Sequence, residues 1–264
     1  MRYEKYQSIK VDRQGEIVHL IFNRPDKLNA VDERMHEELA SIFTDVAADP
    51  DCELVVLTGA GRAFSAGGDI EWMQKMIDDP ANFEKTALEA KRIIFSMLDC
   101  EKPIIAKVNG HAAGLGATLA LFSDVIFASE EARIGDPHVS VGFVAGDGGA
   151  VIWPQLIGYA RAKEFLMTGE MIPAPRAAEM GLINYSVPAE ELDARVDEFA
   201  GQLMKGARKA IRWTKVSANI GLKQLAHSMM DACISMEAQS NVTADHQEAV
   251  NAFREKRRPV FIGK

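Results

Sequence analysis

Phe64-Ser65-Ala66-Gly67-Gly68-Asp69-Ile70 and, further on, Asn109-Gly110-His111-Ala112-Ala113-Gly114-Leu115-Gly116 are the stretches that decide how this chain is read. Each follows a buried-looking apolar run: Leu54-Val55-Val56-Leu57-Thr58 before the first, Pro103-Ile104-Ile105-Ala106-Lys107-Val108 before the second. Runs that are continuous rather than alternating fit a parallel sheet covered on both faces. Each glycine turn leads into a stretch of helical character, and the first N–H groups of a helix lack internal partners. Small residues let a ligand approach that backbone closely. Two such turns aimed at one point would hold a developing oxyanion, which points to chemistry on a carbonyl or thioester. One such turn alone reads as well as a tight turn whose glycines only solve a steric problem; the second, after another buried strand, shifts the balance. The spacing Gly110…Gly114…Gly116 is not that of a dinucleotide fold, and no Gly-Lys-Ser/Thr follows to make a phosphate loop.

Outward from these turns the chain reads as α/β layers. Ile9-Lys10-Val11 and Ile17 to Phe22 form a hairpin across Arg13-Gln14-Gly15. Asp32 caps a helix with apolar residues at Met35, Leu39, Ile42, Phe43 and Val46. Helices are expected over 82–98 and 117–121, and short strands over 124–128 and 132–134. From Asp193 onward the pattern is helical, with pieces over 193–204, 207–219 and from 223 to the region of Asn251.

Composition narrows the function classes. Of 264 residues 47% are apolar, enough for a substantial core. The net charge of −8 argues against general nucleic-acid binding. Three cysteines, Cys52, Cys100 and Cys233, give neither a disulfide framework nor a metal knuckle, so no metal site is expected. Met1 to Lys10 is polar and has no apolar signal segment, and no apolar run approaches ~20 residues, so a cytoplasmic protein with no membrane span is expected.

Several side chains invite a chemical reading beside a plainer one. His138 and Asp147 are nine residues apart, in Gly135-Asp136-Pro137-His138 and Ala145-Gly146-Asp147-Gly148-Gly149. A carboxylate that orients an imidazole makes a general base. Equally, His138 reads as a hydrogen-bonded loop histidine and Asp147 as the cap of a helix over 148–156. Arg24, Lys27 and Arg62 lie in loops beside the first turn, and Lys256, Arg257 and Arg258 cluster near the end. Such cations bind phosphates or simply solvate a surface. Met73, Met76, Met229 and Met230 would line an apolar pocket or fill the core, and Trp153 reads as core or interface.

At these residues the chain resembles the crotonase (enoyl-CoA hydratase/isomerase) superfamily. The likeness runs from about Ile9 to about Phe261. It is carried by Asn23 to Ala30 (NRPDKLNA), Ala63 to Ile70 (AFSAGGDI), Val108-Asn109-Gly110, Gly169-Glu170 with Ala177 and Gly181-Leu182-Ile183, and Ala252 to Arg257 (AFREKR). The resemblance implies a crotonase-type spiral of ββα units over residues 1–200 and a helical oligomerisation region over 201–264, assembled as a homotrimer or dimer of trimers. It implies an acyl-CoA thioester substrate, with coenzyme A as part of the substrate and no tightly bound cofactor. By position Gly68 and Leu115 would supply the two oxyanion-hole N–H groups. Arg24, Lys27, Arg62, Ala66, Asp69 and Ile70 would bind coenzyme A, with Phe253 and Lys256 from a neighbouring subunit. The chain departs from the hydratase pattern at its two glutamate positions, which align with Thr118 and His138. The register of His138 and Asp147, continued by Val151-Ile152-Trp153-Pro154, is similar to β-diketone hydrolases of the oxocamphor hydrolase type, in which a His–Asp dyad activates water for C–C cleavage. A His138–Asp147 base acting on an acyl-CoA is therefore expected, with a C–C hydrolase or a non-catalytic acyl-CoA-binding subunit as alternatives.

Overall fold

The computed structural model describes residues 3–264. Strands β1 (Ile9–Gln14) and β2 (Ile17–Phe22) form the expected antiparallel hairpin. Helix α1 (Glu33–Ala47) begins at Asp32, whose carboxylate accepts the Met35 N–H. The chain then repeats one unit. Strand β3 (Leu54–Gly59) is followed by β4 (Ala63–Ser65) and α2 (Ile70–Asp78), with α3 (Ala81–Asp99) after it. Next come β5 (Ile104–Val108), β6 (His111–Ala113) and α4 (Leu115–Leu121), then β7 (Val125–Ser129), β8 (Arg133–Gly135), a 3-10 turn over Pro137–Val141 and α5 (Gly149–Thr168). The first strand of each unit enters one sheet and the second enters another. The six-stranded sheet runs β1-β2-β3-β5-β7-β10, parallel from β2 onward; the four-stranded sheet runs β4-β6-β8-β9. Here β9 is Ile172–Pro173 and β10 is Tyr185–Val187, separated by α6 (Ala174–Glu179). This alternation is the spiral of ββα units.

The continuous apolar strands are explained by two cores. Val55 and Leu57 of β3 face the main core, whereas Leu54 and Val56 join Ile105, Phe127 and the inner side of α7 (Leu192–Lys205) on the other face. Helices α8 (Arg208–Asn241) and α9 (Ala244–Arg254) complete the chain, and Ala226, Met230, Ile234 and Val250 share the main core. Residue 200 falls within α7.

Three expectations need correction. The short strands β4 and β6 were not legible, because three residues show no periodicity and pairing with each other and with β8 specifies them. The C-terminal helix does not break near Gly221. It runs through that glycine, whose cost of about 1 kcal/mol in a helix is small against the packing of a 34-residue element. The break comes at Val242-Thr243, where the Thr243 hydroxyl caps α9 by accepting the His246 N–H. Finally, the helix expected over 148–156 extends to Thr168, kinked at Gly158, and its N-cap position is Gly148 rather than Asp147. Among the described residues, no helix is long and apolar enough to cross a membrane.

Candidate active site

The two glycine turns meet. Gly67 and Gly114 face each other at the C-terminal ends of the neighbouring strands β4 and β6. Gly114 adopts φ 51° and ψ −126°, a conformation open in practice only to glycine. Gly116 lies against Ser65, and a Cβ there would stand 2.6 Å from the Ser65 Cβ. The Ser65 hydroxyl donates to the Asn29 carbonyl at 2.8 Å, and the Asn29 side-chain amide donates to the carbonyls of Ala60 and Ala63. The loop carrying Asn29 is thereby knitted to the first turn. Asp69 caps α2 through the Glu71 N–H, and Leu115 opens α4. The N–H groups of Gly68 and Leu115 make no hydrogen bond among the described residues. Both residues line one small cavity of about 50 Å³. Two bare amides at one cavity are the arrangement that stabilises an oxyanion.

His138 and Asp147 line the same cavity. The expected dyad is rearranged, however. The 3-10 turn folds the ring back on Asp136, and His138 Nδ1 pairs with Asp136 Oδ1. Asp147 instead faces the other ring nitrogen, its Oδ2 at 3.7 Å from His138 Nε2. The Thr118 hydroxyl donates to Asp147 Oδ1 at 3.3 Å. Thr118, which cannot itself act as a base, thus positions a carboxylate that can. Burial alone would push the imidazole pKa down, but the charges of Asp136 and Asp147 and the hydrogen bond to Asp136 outweigh it and raise it to about 10. Asp147 is lifted above the usual carboxylate range by burial, with the His138 charge working against the lift.

A third carboxyl was missed. Glu237 of α8 is buried in the cavity wall, and burial followed by the charge of Asp147 holds its pKa well above the usual range. The signal was present in the sequence: Met230, Ile234, Glu237 and Asn241 fall on one helical stripe that the structure buries, so an acid sits on an apolar face. The remaining wall is largely apolar, with Trp72, Met73, Met76, Phe83 and Phe143. Met73 and Met76 therefore do line a pocket; Met230 is core, as is Trp153, which is fully buried. Asp136, His138 and Asp147 also bring ligand-type atoms within 4.8 Å of one another, although their short mutual pairings already account for the geometry.

The cavity opens past Gly68 and His138 into a groove of about 760 Å³, within the range of ligand sites. Lys27, Arg62, Ala66, Asp69, Ile70, Phe253 and Lys256 all line it. Phe253 and Lys256 line the groove of their own chain, because α9 packs on α2, where Arg254 forms an ion pair with Glu71. Lys27, Arg62 and Lys256 are in no ion pair among the described residues, so three cations stand free in the groove of an acidic chain. Arg24 is not part of this wall. Its guanidinium pairs with Asp32 and Asp69, both at 3.1 Å, and donates to the Ala30 carbonyl, which makes it a brace for the loop.

Comparison with known proteins agrees with this geometry. Residues 12–264 match the enoyl-CoA hydratase/isomerase family. A crotonyl-CoA hydratase of Syntrophomonas wolfei subsp. wolfei is 36% identical over 265 residues, covering 98% of this chain and 99% of that protein. A short-chain-enoyl-CoA hydratase of Clostridium acetobutylicum is 30% identical, covering 95% and 96%. The crystal structure of an enoyl-CoA hydratase/isomerase from Mycobacterium paratuberculosis superposes with a TM-score of 0.91 at 37% identity, covering 94% of this chain and 99% of that one. With its paired glycine turns, cationic groove and nearly full-length matches, the chain belongs to the enoyl-CoA hydratase/isomerase family.

Proposed function

We propose that the protein adds water to, or moves a proton on, a short-chain enoyl-CoA thioester, using Asp147 as base and His138 as acid in place of two glutamates. The observation that carries this reading is the 3.7 Å gap between His138 Nε2 and Asp147 Oδ2 on the wall that also bears the free amides of Gly68 and Leu115. The free cations of the groove suit the phosphates of coenzyme A, which enters as part of the substrate with no further cofactor. The cavity of about 50 Å³ suits a short acyl group.

In hydration, Asp147 takes a proton from water as the water oxygen bonds to Cβ. The Cα=Cβ electrons move onto the thioester oxygen, held by the two N–H groups. The Nε2–H of His138 then protonates Cα as the enolate collapses. Asp147 is left neutral and His138 uncharged, and a proton returning across the short gap resets both. A carboxylate lifted by burial is a stronger base, and an imidazolium fixed by Asp136 presents its Nε2–H to the cavity. His138 thus takes the acid's part rather than that of the base expected from sequence.

A second reading, retro-Claisen C–C cleavage of a β-keto acyl-CoA or a free β-diketone, is favoured by Glu237, a proton donor that a two-group hydration does not need.

The test uses crotonyl-CoA. His138→Ala and Asp147→Asn are each expected to lower kcat by about 100-fold or more while leaving the Kd for butyryl-CoA unchanged. Full hydratase activity in both variants sinks the assignment. Turnover of a β-diketone unaffected by added coenzyme A, with none of crotonyl-CoA, favours the second reading.

A further inference from the structure

A second buried histidine opens on the same cavity, and the chemistry above does not use it. His36 of α1 is 2% exposed and lines the cavity wall. Its Nδ1 lies 2.7 Å from Oε2 of Glu89, a carboxylate on α3 that is 6% exposed. The other Glu89 oxygen faces Lys85 at 3.7 Å. The His36 ring packs on Trp72 with centroids 5.1 Å apart. Because Glu89 takes the Nδ1–H, Nε2 is the atom left to meet a ligand, and it has no hydrogen-bond partner among the described residues. His36 pairs with Glu89 and not with the Asp136, His138 and Asp147 cluster, so it forms a separate polar point in the cavity.

A structural role accounts for this poorly. His36 lies on the buried face of α1, beside Met35 and Leu39, and Glu89 on that of α3, beside Ala90 and Ile93. Two apolar side chains would join these helices without the cost of burying polar groups. Around His36 the cavity wall is otherwise mostly apolar, so a ligand oxygen there meets one partner.

We propose that His36, oriented by Glu89, binds an oxygen function on the acyl group, so that the enzyme's substrates are hydroxy-, oxo- or carboxyacyl-CoA thioesters rather than plain alkyl ones. The inference rests on the acyl-CoA reading above. A neutral ring accepts from a hydroxyl at Nε2, and a protonated ring donates to a keto or carboxylate oxygen. A site built to pair with such a group discriminates against the analogue that lacks it.

Titration calorimetry on the full chain tests this with matched esters: butyryl-CoA against 4-hydroxybutyryl-CoA and succinyl-CoA, and pentanoyl-CoA against 4-oxopentanoyl-CoA. At least one oxygenated ester is expected to bind about tenfold tighter than its plain counterpart, and the arm that does so identifies the oxygen function. His36→Asn keeps an atom near Nδ1 for Glu89 but removes the one facing the cavity, and should abolish the preference without weakening the plain ester. His36→Gln keeps an atom near Nε2 and should retain part of it. A purely structural histidine gives the opposite pattern, with plain and oxygenated esters affected alike. Plain esters that bind while no oxygenated one binds tighter, or a preference that survives His36→Asn, overturn the inference and leave the acyl-CoA reading standing. If no coenzyme A ester binds the wild-type chain, both fail.

Discussion

His138 holds its proton because two carboxylates face its ring from opposite nitrogens, Asp136 at Nδ1 and Asp147 at Nε2. Burial opposes the charged ring, and the two charges win, raising the pKa to about 10. If His138 acts as the acid, turnover persists through neutral pH and declines as the pH rises through about 10. Asp136 touches no substrate in this scheme and acts by positioning and charging His138. Asp136→Asn is therefore expected to lower the His138 pKa and move the alkaline limb of the kcat–pH profile to lower pH. A merely structural loss would depress kcat at every pH and leave the limb where it was. The spacing of nine residues singled out Asp147 in the sequence. Asp136, only two residues from His138, became its partner because the turn over Pro137–Val141 bends the ring back over the chain.

At the scale of elements, the proposed oxyanion hole depends on how two strand-to-helix turns are pressed together. Their glycines were legible, since a glycine pattern after a buried strand is local information. Their mutual distance is set by β4 pairing with β6, by the close fit of Gly116 against Ser65, and by the loop anchored at Asn29. Asn29 is fully buried, sits at φ 55°, and forms three side-chain hydrogen bonds, to Arg24 N–H and to the Ala60 and Ala63 carbonyls. Asn29→Ala leaves those backbone groups unpaired and should cost roughly 3 kcal/mol of stability, measured by urea denaturation. It should also lower kcat more than it weakens butyryl-CoA binding, because it loosens the turn that carries the Gly68 amide. Unchanged stability would remove Asn29 from this role.

Across the whole molecule, the cavity is closed only when α1, α3 and α8 pack on the spiral, since they supply His36, Phe83 and Glu237 to its wall. That packing buries three groups whose pKa values are raised, and all three act in one direction. For each of His138, Asp147 and Glu237, between its unfolded and its folded pKa, the folded state keeps a proton that the unfolded chain releases, so its contribution to stability is full below the unfolded pKa and is lost as the pH rises through the folded one. For His138 the window runs from about 6.5 to about 10. The thermal midpoint should therefore fall between pH 6 and pH 10. Glu237→Gln, which cannot ionise, should flatten the decline above the ordinary carboxylate pKa of 4.5 and raise the midpoint at neutral pH. An unaltered slope in this variant would show that Glu237 ionises freely in the folded protein.

By itself the sequence determined the α/β layering, the paired glycine turns, the family and most of the groove, because hydrophobic periodicity and turn chemistry are written in neighbouring residues. The tertiary structure alone decided which carboxylate orients His138, that Arg24 braces a loop instead of lining the groove, and that His36 and Glu237 reach the cavity. Those outcomes rest on interactions between residues two positions apart, as for Asp136 and His138, to ninety apart, as for Asp147 and Glu237. Burial and charge act through space, and no local pattern records which side chains the packing will bring together.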